Sequence, residues 1–351
     1  MKLHKLLITG AMALTLGTSA AFACSRVLYV GDTTATAPDS VLRIVGRSLD
    51  WATPIPTNLF VYPRGIKKQS NASGPMYTWT SRYGSVYATS YDAGITEGMN
   101  EKGLVVNGLF CRQTVYNNPA TDDKPAMSLA LFPAWLLDLN ATTDEVVAAV
   151  KDQPFRIVGS TFDGGTASTL HWGVTDATGR CAVIEFVDGY IRVYEGQDMP
   201  VLTNEPQWPE MLAVNEYWKS VGGVNFLPGG VRSTDRFVRA NFYDSSVERT
   251  NDADTGLAIV RSIMANVSVP YRYVKGDKNL SQTQWRSYSN IRDRRYYFQN
   301  VTDLGLYYVD LRKCNLSKGA PVMYLNCQNA RDYAGDVTSL LVPSKPFIPM
   351  Y

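Results

Sequence analysis

Cys24 follows Ala21-Phe22-Ala23, the end of an N-terminal segment built like a secretory signal. Lys2 and Lys5 precede an apolar run over residues 6–16, and small residues lead to an Ala-x-Ala cleavage site. The run is too short to span a bilayer, so it predicts no stable membrane anchor. Cleavage after Ala23 would leave Cys24 as the first residue of a periplasmic chain, its thiol beside a free amine. An α-amine titrates at about 7.7–8.0, so it can take the thiol proton, and nucleophile and base become one residue. Two other readings stay open. Cys24 could simply follow a signal, or it could be a lipoprotein cysteine in an acylated, non-enzymatic envelope protein. Phe22 counts against the last, because lipoprotein signals favour small residues there.

Histidine is scarce enough to narrow the chemistry. There are 2 in the chain, and His4 would leave with the signal. His171 alone cannot supply a histidine-rich zinc site, and any Cys-His or Ser-His pair would depend on it. It sits in the alternating run Ser168-Thr-Leu-His-Trp-Gly-Val174, which reads as a strand with a packed histidine. The 5 cysteines are Cys24, Cys111, Cys181, Cys314 and Cys327. An odd number leaves one thiol unpaired in an oxidising compartment. Cys314 and Cys327 flank a Ser-Lys-Gly turn, and a disulfide between them is one arrangement the spacing allows. No Cys-x-x-Cys pair supports a metal site.

Removing residues 1–23 would balance the charges at 32 basic against 32 acidic side chains, with no footprint for nucleic acid. At 45% hydrophobic residues the chain can bury a large core. No linker or composition shift divides it, so residues 24–351 read as one domain. Strand patterns cover residues 25–30, 41–50, 85–90 and 103–110. A broadly apolar helical stretch follows at 126–139, and Thr142-Thr-Asp-Glu145 is a capping box opening another helix. Strands return at 170–175, 181–186 and 190–195, joined by Asp176-Ala-Thr-Gly179 and Asp188-Gly189 turns. Helical patterns lie near 210–221, 234–243 and 255–267, and strands close the chain at 284–293, 295–299 and 305–310. Segregated blocks predict an α+β protein, with antiparallel sheets and helices outside them. No Gly-x-Gly-x-x-Gly or Walker loop supports a nucleotide cofactor.

Several short segments, taken together, resemble the choloylglycine hydrolase family of N-terminal-nucleophile hydrolases, which contains penicillin V acylases and bile salt hydrolases. They are Cys24, Gly46-Arg-Ser-Leu-Asp50, Asn100-Glu-Lys-Gly-Leu104, Leu202-Thr-Asn-Glu-Pro206, and Leu227-Pro-Gly followed by Asp235-Arg-Phe-Val-Arg239. The resemblance implies a four-layer αββα sandwich of two antiparallel sheets. It also implies a catalytic set: Cys24 as nucleophile, Asp50 holding its amine, Arg47 and Arg236 near the sulfur, and Asn204 as oxyanion donor. Phe110 falls where bile salt hydrolases carry asparagine and Gram-positive penicillin V acylases carry tyrosine; it can offer only its backbone N–H. With Trp51 it looks like the aromatic pair, tryptophans in related sequences, of the Gram-negative branch, which includes penicillin V and N-acyl homoserine lactone acylases. The plain alternatives are a surface Arg47–Asp50 ion pair, turn duty for Asn204, surface charge for Arg236 and core packing for the two aromatics.

The expectation is therefore an exported amidase cleaving a linear acyl amide through a thioester, without metal or organic cofactor. Penicillin V and N-acyl homoserine lactones fit an aromatic acyl pocket better than conjugated bile salts, the alternative substrates. Residues 205–235 leave no room for the segment that helps assemble the Gram-positive tetramer, and a homo-oligomer stays open.

Overall fold

Two β-rich runs directly after Cys24 become neighbours at the middle of a sheet. The computed structural model describes residues 23–34, 37–70, 74–159, 161–162, 166–197, 199–222, 225–273 and 281–349. The expected signal, residues 1–23, lies outside the described residues apart from Ala23. Strands β1 (Ser25–Val30), β2 (Arg43–Trp51), β3 (Thr57–Tyr62), β4 (Ser85–Ser90), β5 (Gly94–Asn100) and β6 (Val105–Phe110) open the chain. Helices α1 (Phe132–Leu139) and α2 (Thr143–Asp152) follow, then β7 (Leu170–Thr175), β8 (Cys181–Val187), β9 (Tyr190–Gly196) and β10 (Val201–Leu202). Helices α3 (Trp208–Val221), α4 (Ser233–Ser246) and α5 (Ala253–Val267) precede β11 (Gln282–Asn290), β12 (Arg295–Asn300) and β13 (Tyr307–Asp310). The last strands are β14 (Val322–Leu325), β15 (Gly335–Asp336) and β16 (Val342–Ser344).

The strands form a seven-stranded sheet, β10-β1-β2-β11-β12-β13-β15, and a nine-stranded sheet, β9-β8-β7-β6-β5-β4-β3-β14-β16. Pairing is antiparallel except between β13 and β15 at an edge. Helices α4 and α5 pack on the outer face of the first sheet, and α1 and α2 on that of the second, giving the expected αββα layering. Gly46 of β2 lets α5 approach: a Cβ there would lie 2.6 Å from Val260 Cγ1 and 2.8 Å from Met264 Cγ. A second core lies under α1, where Phe132 and Trp172 are fully buried with ring centroids 4.6 Å apart. Burying each such ring is worth roughly 1.5–3 kcal/mol.

One expectation needs correction, and one arrangement left open by the sequence is decided. In the apolar stretch 126–139 the α-helix begins only at Phe132; Ala126–Ser128 is a short strand pairing in parallel with Arg156–Val158, and a single 3-10 turn, Leu129–Leu131, joins strand to helix. Pro133 explains the late start, since proline is tolerated only in the first helical turn. The Cys314–Cys327 disulfide does not form, and all five cysteines are free. The Ser317-Lys318-Gly319 turn carries the chain from the seven-stranded to the nine-stranded sheet instead of back beside itself. Cys314 Sγ lies against the Asp310 carbonyl and Cys327 Sγ against that of Leu325. The capping box forms as read, with the Thr142 hydroxyl accepting the Glu145 N–H.

Candidate active site

The register of β1 on β2 sets Ser25 opposite Ser48 and Arg26 opposite Arg47. Alternation then sends Arg26 and Arg47 toward the nine-stranded sheet, and Ser25 toward α4. Arg26 Nε donates to Asn107 Oδ1 at 2.9 Å, and Arg47 Nη2 donates to the Gly108 carbonyl at 2.9 Å. The same Nη2 lies 3.7 Å from Cys24 Sγ. Glu97 balances the buried Arg47 charge at 3.2 Å, and the guanidinium stacks 4.5 Å over the Trp285 ring.

The β5–β6 ladder ends at the Glu97–Asn107 pair. Beyond it, carbonyls on that side of β6 turn to the site: Gly108 accepts from Arg47, and Phe110 accepts from Asn204 Nδ2 at 2.8 Å. Asn204 lies two residues beyond the end of β10. Its Oδ1 accepts the Cys24 N–H at 2.6 Å and Arg236 Nη2 at 2.8 Å. Arg236, on the first turns of α4, also donates through Nη1 to the Cys24 carbonyl and to Ser25 Oγ, each at 2.5 Å. Burial pulls its guanidinium below the ordinary value, opposed by Asp50 and Cys24.

All five residues expected to do chemistry are thus buried and brought together, and the surface readings of Arg47, Asp50 and Arg236 fall. Asn204 makes three hydrogen bonds to site groups, more than turn duty requires. Asp50 is fully buried, and neither of its carboxylate oxygens has a hydrogen-bond partner of good geometry among the described residues. Burial pushes it up to about 6, against the opposing pull of Arg236, Thr283, Arg47 and Ser48.

A cavity of about 100 Å³ ends on Cys24, Arg47 and Asp50. Most of its remaining lining is apolar, with Trp51, Ile55, Ile95, Phe110, Leu129 and Leu170, and Ser90, Tyr91, Thr96 and Ser168 also border it. Trp51 and Phe110 meet edge to face with centroids 5.9 Å apart, so the two aromatics are wall and core at once. A larger cleft of about 510 Å³ lies by β1, α3 and α4, and none of the expected site residues lines it.

These are the constituents of amide opening by a thiol: a nucleophile, cationic neighbours, amide donors and an apolar acyl recess. The family of linear amide C–N hydrolases, the choloylglycine hydrolase family, matches residues 33–333. The chain belongs to the choloylglycine hydrolase family. It is a linear amide C–N hydrolase. Penicillin V acylase of Pectobacterium atrosepticum is 33% identical over 359 aligned positions, covering 96% of this chain and 94% of that protein. A solved penicillin V acylase from Agrobacterium tumefaciens superposes with a TM-score of 0.84 at 35% identity, covering 93% of this chain and 99% of that one. Bile salt hydrolase/transferase of Clostridium perfringens is 25% identical over 304 positions, 78% of this chain and 90% of that protein.

Not every family segment serves the chemistry. In Asn100-Glu-Lys-Gly-Leu104, Asn100 Nδ2 donates to the Leu137 and Asn140 carbonyls, both at 2.8 Å, fastening the end of α1. Arg239 does likewise for the Leu227-Pro-Gly segment, donating to the Pro228 and Gly230 carbonyls at 2.6 Å. Sequence reasoning missed Glu97, Ser25, Trp285 and the Gly108 carbonyl. No residue pattern marks them, because each acts through a partner distant in sequence.

Proposed function

We propose that this chain is an exported, periplasmic amidase that opens small linear acyl amides through a thioester on Cys24, with penicillin V or N-acyl homoserine lactones as favoured substrates. The observation that carries this reading is the largely apolar recess lined by Trp51 and Phe110 together with Cys24. Removal of residues 1–23 converts the Cys24 peptide nitrogen into an amine. That amine takes the thiol proton, Sγ bonds to the substrate carbonyl carbon, and the proton passes to the leaving nitrogen as the C–N bond breaks. Water, deprotonated by the same amine, then hydrolyses the thioester and regenerates the thiol. Arg47 Nη2 stands 3.7 Å from Sγ, beside the charge that develops there during attack, and the buried Asp50 is the counter-charge for the amine. Asn204 has a second amide hydrogen for the oxyanion, beside the Phe110 N–H. Such donors are worth about 2.7–4 kcal/mol each. No metal or organic cofactor enters these steps.

The acylase relatives at 33% and 35% identity support a compact acyl group over a steroid. Each methylene buried against Trp51 and Phe110 contributes about 0.8 kcal/mol, whereas bile acid hydroxyls buried there without partners would oppose binding. A panel assay at one pH tests this: kcat/KM for penicillin V or a long-chain acyl homoserine lactone should exceed that for glycocholate at least about tenfold, the effect of roughly two methylenes. Phe110→Ala should lower the first two more than the last. Glycocholate as the best substrate would overturn the aromatic-pocket reading and leave the cysteine mechanism standing.

A further inference from the structure

The segment 203–208 carries Asn204 between two anchors, and both anchors rest on one buried pair. At its start, the Thr203 carbonyl lies 2.7 Å from His171 Nε2. At its end, the N–H of Trp208 donates to Glu185, at 3.0 Å to Oε1 and 3.2 Å to Oε2. The pair is closed by His171 Nδ1 and Glu185 Oε1, 3.1 Å apart. A carbonyl can only accept, and so can an ionised carboxylate, so the ring donates from both nitrogens as an imidazolium. Burial opposes that charge, but Cys111 and Glu185 outweigh it and push the ring up to about 10.

The pair also joins the two halves of the fold. The β7–β8 register, with Trp172 opposite Ile184, sets His171 opposite Glu185 within the nine-stranded sheet. Thr203 follows β10, at the edge of the seven-stranded sheet. Cys24 and Arg47 stand on one sheet, while Gly108 and Phe110 stand on the other. A group that fixes Asn204 between the sheets therefore fixes the donor that must meet both. Neither histidine nitrogen is left for proton transfer, which leaves His171 a different task from that of a catalytic base.

We infer that His171, with Glu185, is a positioning clamp that holds both ends of segment 203–208 and so sets the Asn204 side chain against Cys24 and the substrate oxyanion. The inference rests on the amidase reading. Misplacing a catalytic group by about 1 Å can cost on the order of 10²-fold in rate. The loss should fall on kcat, since the oxyanion contact matures only in the transition state.

The test compares the mature wild-type chain with His171→Leu, His171→Gln and Glu185→Gln on penicillin V, counting intact sites by iodoacetamide alkylation of Cys24. His171→Leu should lower kcat per alkylatable site by at least about thirtyfold while KM stays within about threefold. His171→Gln keeps an N–H for the Thr203 carbonyl and should recover most of that loss. Unchanged kcat per site in His171→Leu would overturn the clamp, because a merely structural histidine alters the amount of folded protein and not its turnover. Should His171→Leu not fold, Glu185→Gln decides: reduced kcat at similar KM supports the clamp, and wild-type turnover overturns it. If the wild type opens no acyl amide, the amidase reading itself fails. The clamp is then read by hydrogen exchange, where residues 203–208 should lose protection in whichever variant folds, and unchanged protection rejects it.

Discussion

With Ala23 still attached, burial raises the Asp50 carboxyl from 3.8 to about 6, against the pull of Arg236 and Thr283. A carboxyl raised on folding binds its proton more tightly in the folded chain, so stability falls as pH rises from 3.8 to about 6 and stays reduced above that. A shift of about two units corresponds to about 3 kcal/mol. In a chain retaining Ala23, Asp50→Asn should raise the unfolding free energy obtained from urea titration at neutral pH by up to that amount and leave it nearly unchanged at about pH 3.5, below both values. In a chain beginning at Cys24 the gain should shrink, because the new ammonium supplies the missing counter-charge, yet Asp50→Asn should abolish hydrolysis. A destabilised Asp50→Asn at neutral pH in the Ala23-bearing chain would refute this account. The amine makes a second prediction. A chain starting Met-Ala before Cys24, with both residues shown by mass spectrometry to persist, should keep a reactive thiol and lose turnover. Full activity would mean that another group is the base. The family segments in the sequence single out Cys24, Arg47, Asp50, Asn204 and Arg236, and the fold buries these candidates together. Glu97 was not legible there, because a glutamate between a glycine and a threonine reads as exposed until β5 buries it.

At the scale of elements, legibility followed periodicity. Strands with a clean apolar pattern, such as Leu170–Thr175, have the bounds the sequence indicates. Two central strands escaped notice for opposite reasons. Thr57–Tyr62 is buried throughout, so nothing alternates, and Gly94–Asn100 carries two glycines and a charge that strand propensity disfavours. The same limit hid the purpose of Gly46, which is set by α5 and not by its neighbours in sequence. Gly46→Val would drive its side chain into Val260 and Met264. Overpacking of this kind costs about 1–3 kcal/mol, with α5 pushed off β2 near Arg47. Thermal unfolding should register that loss together with reduced kcat. A variant as stable as the parent would show that α5 shifts freely, contrary to the close packing found here.

Across the whole molecule, the two sheets meet through a polar contact as well as an apolar one, and the site is built at that contact. Glu97 belongs to the nine-stranded sheet, yet it receives Tyr296 Oη at 2.6 Å and the Ser287 hydroxyl from the seven-stranded sheet. Asn107 Nδ2 reaches it at 3.2 Å, and Arg47 completes the group. One carboxylate thereby neutralises the guanidinium beside Cys24 and aligns the sheet carrying Cys24 with the sheet that lines the apolar recess. Removing one member of a buried ion pair leaves the other charge uncompensated, at a cost of about 3–5 kcal/mol. Glu97→Ala should therefore lower the unfolding free energy by that amount, moving the urea midpoint down without changing the denaturant slope, because the same surface is exposed on unfolding. Glu97→Gln, which retains an acceptor for Tyr296 but not the charge, should fall between the two. Its surviving folded fraction should still alkylate at Cys24, while turnover drops as the sheets lose register. If Glu97→Ala unfolds with the wild-type midpoint, apolar packing alone sets the spacing of the sheets, and Glu97 is incidental to the placement of Arg47.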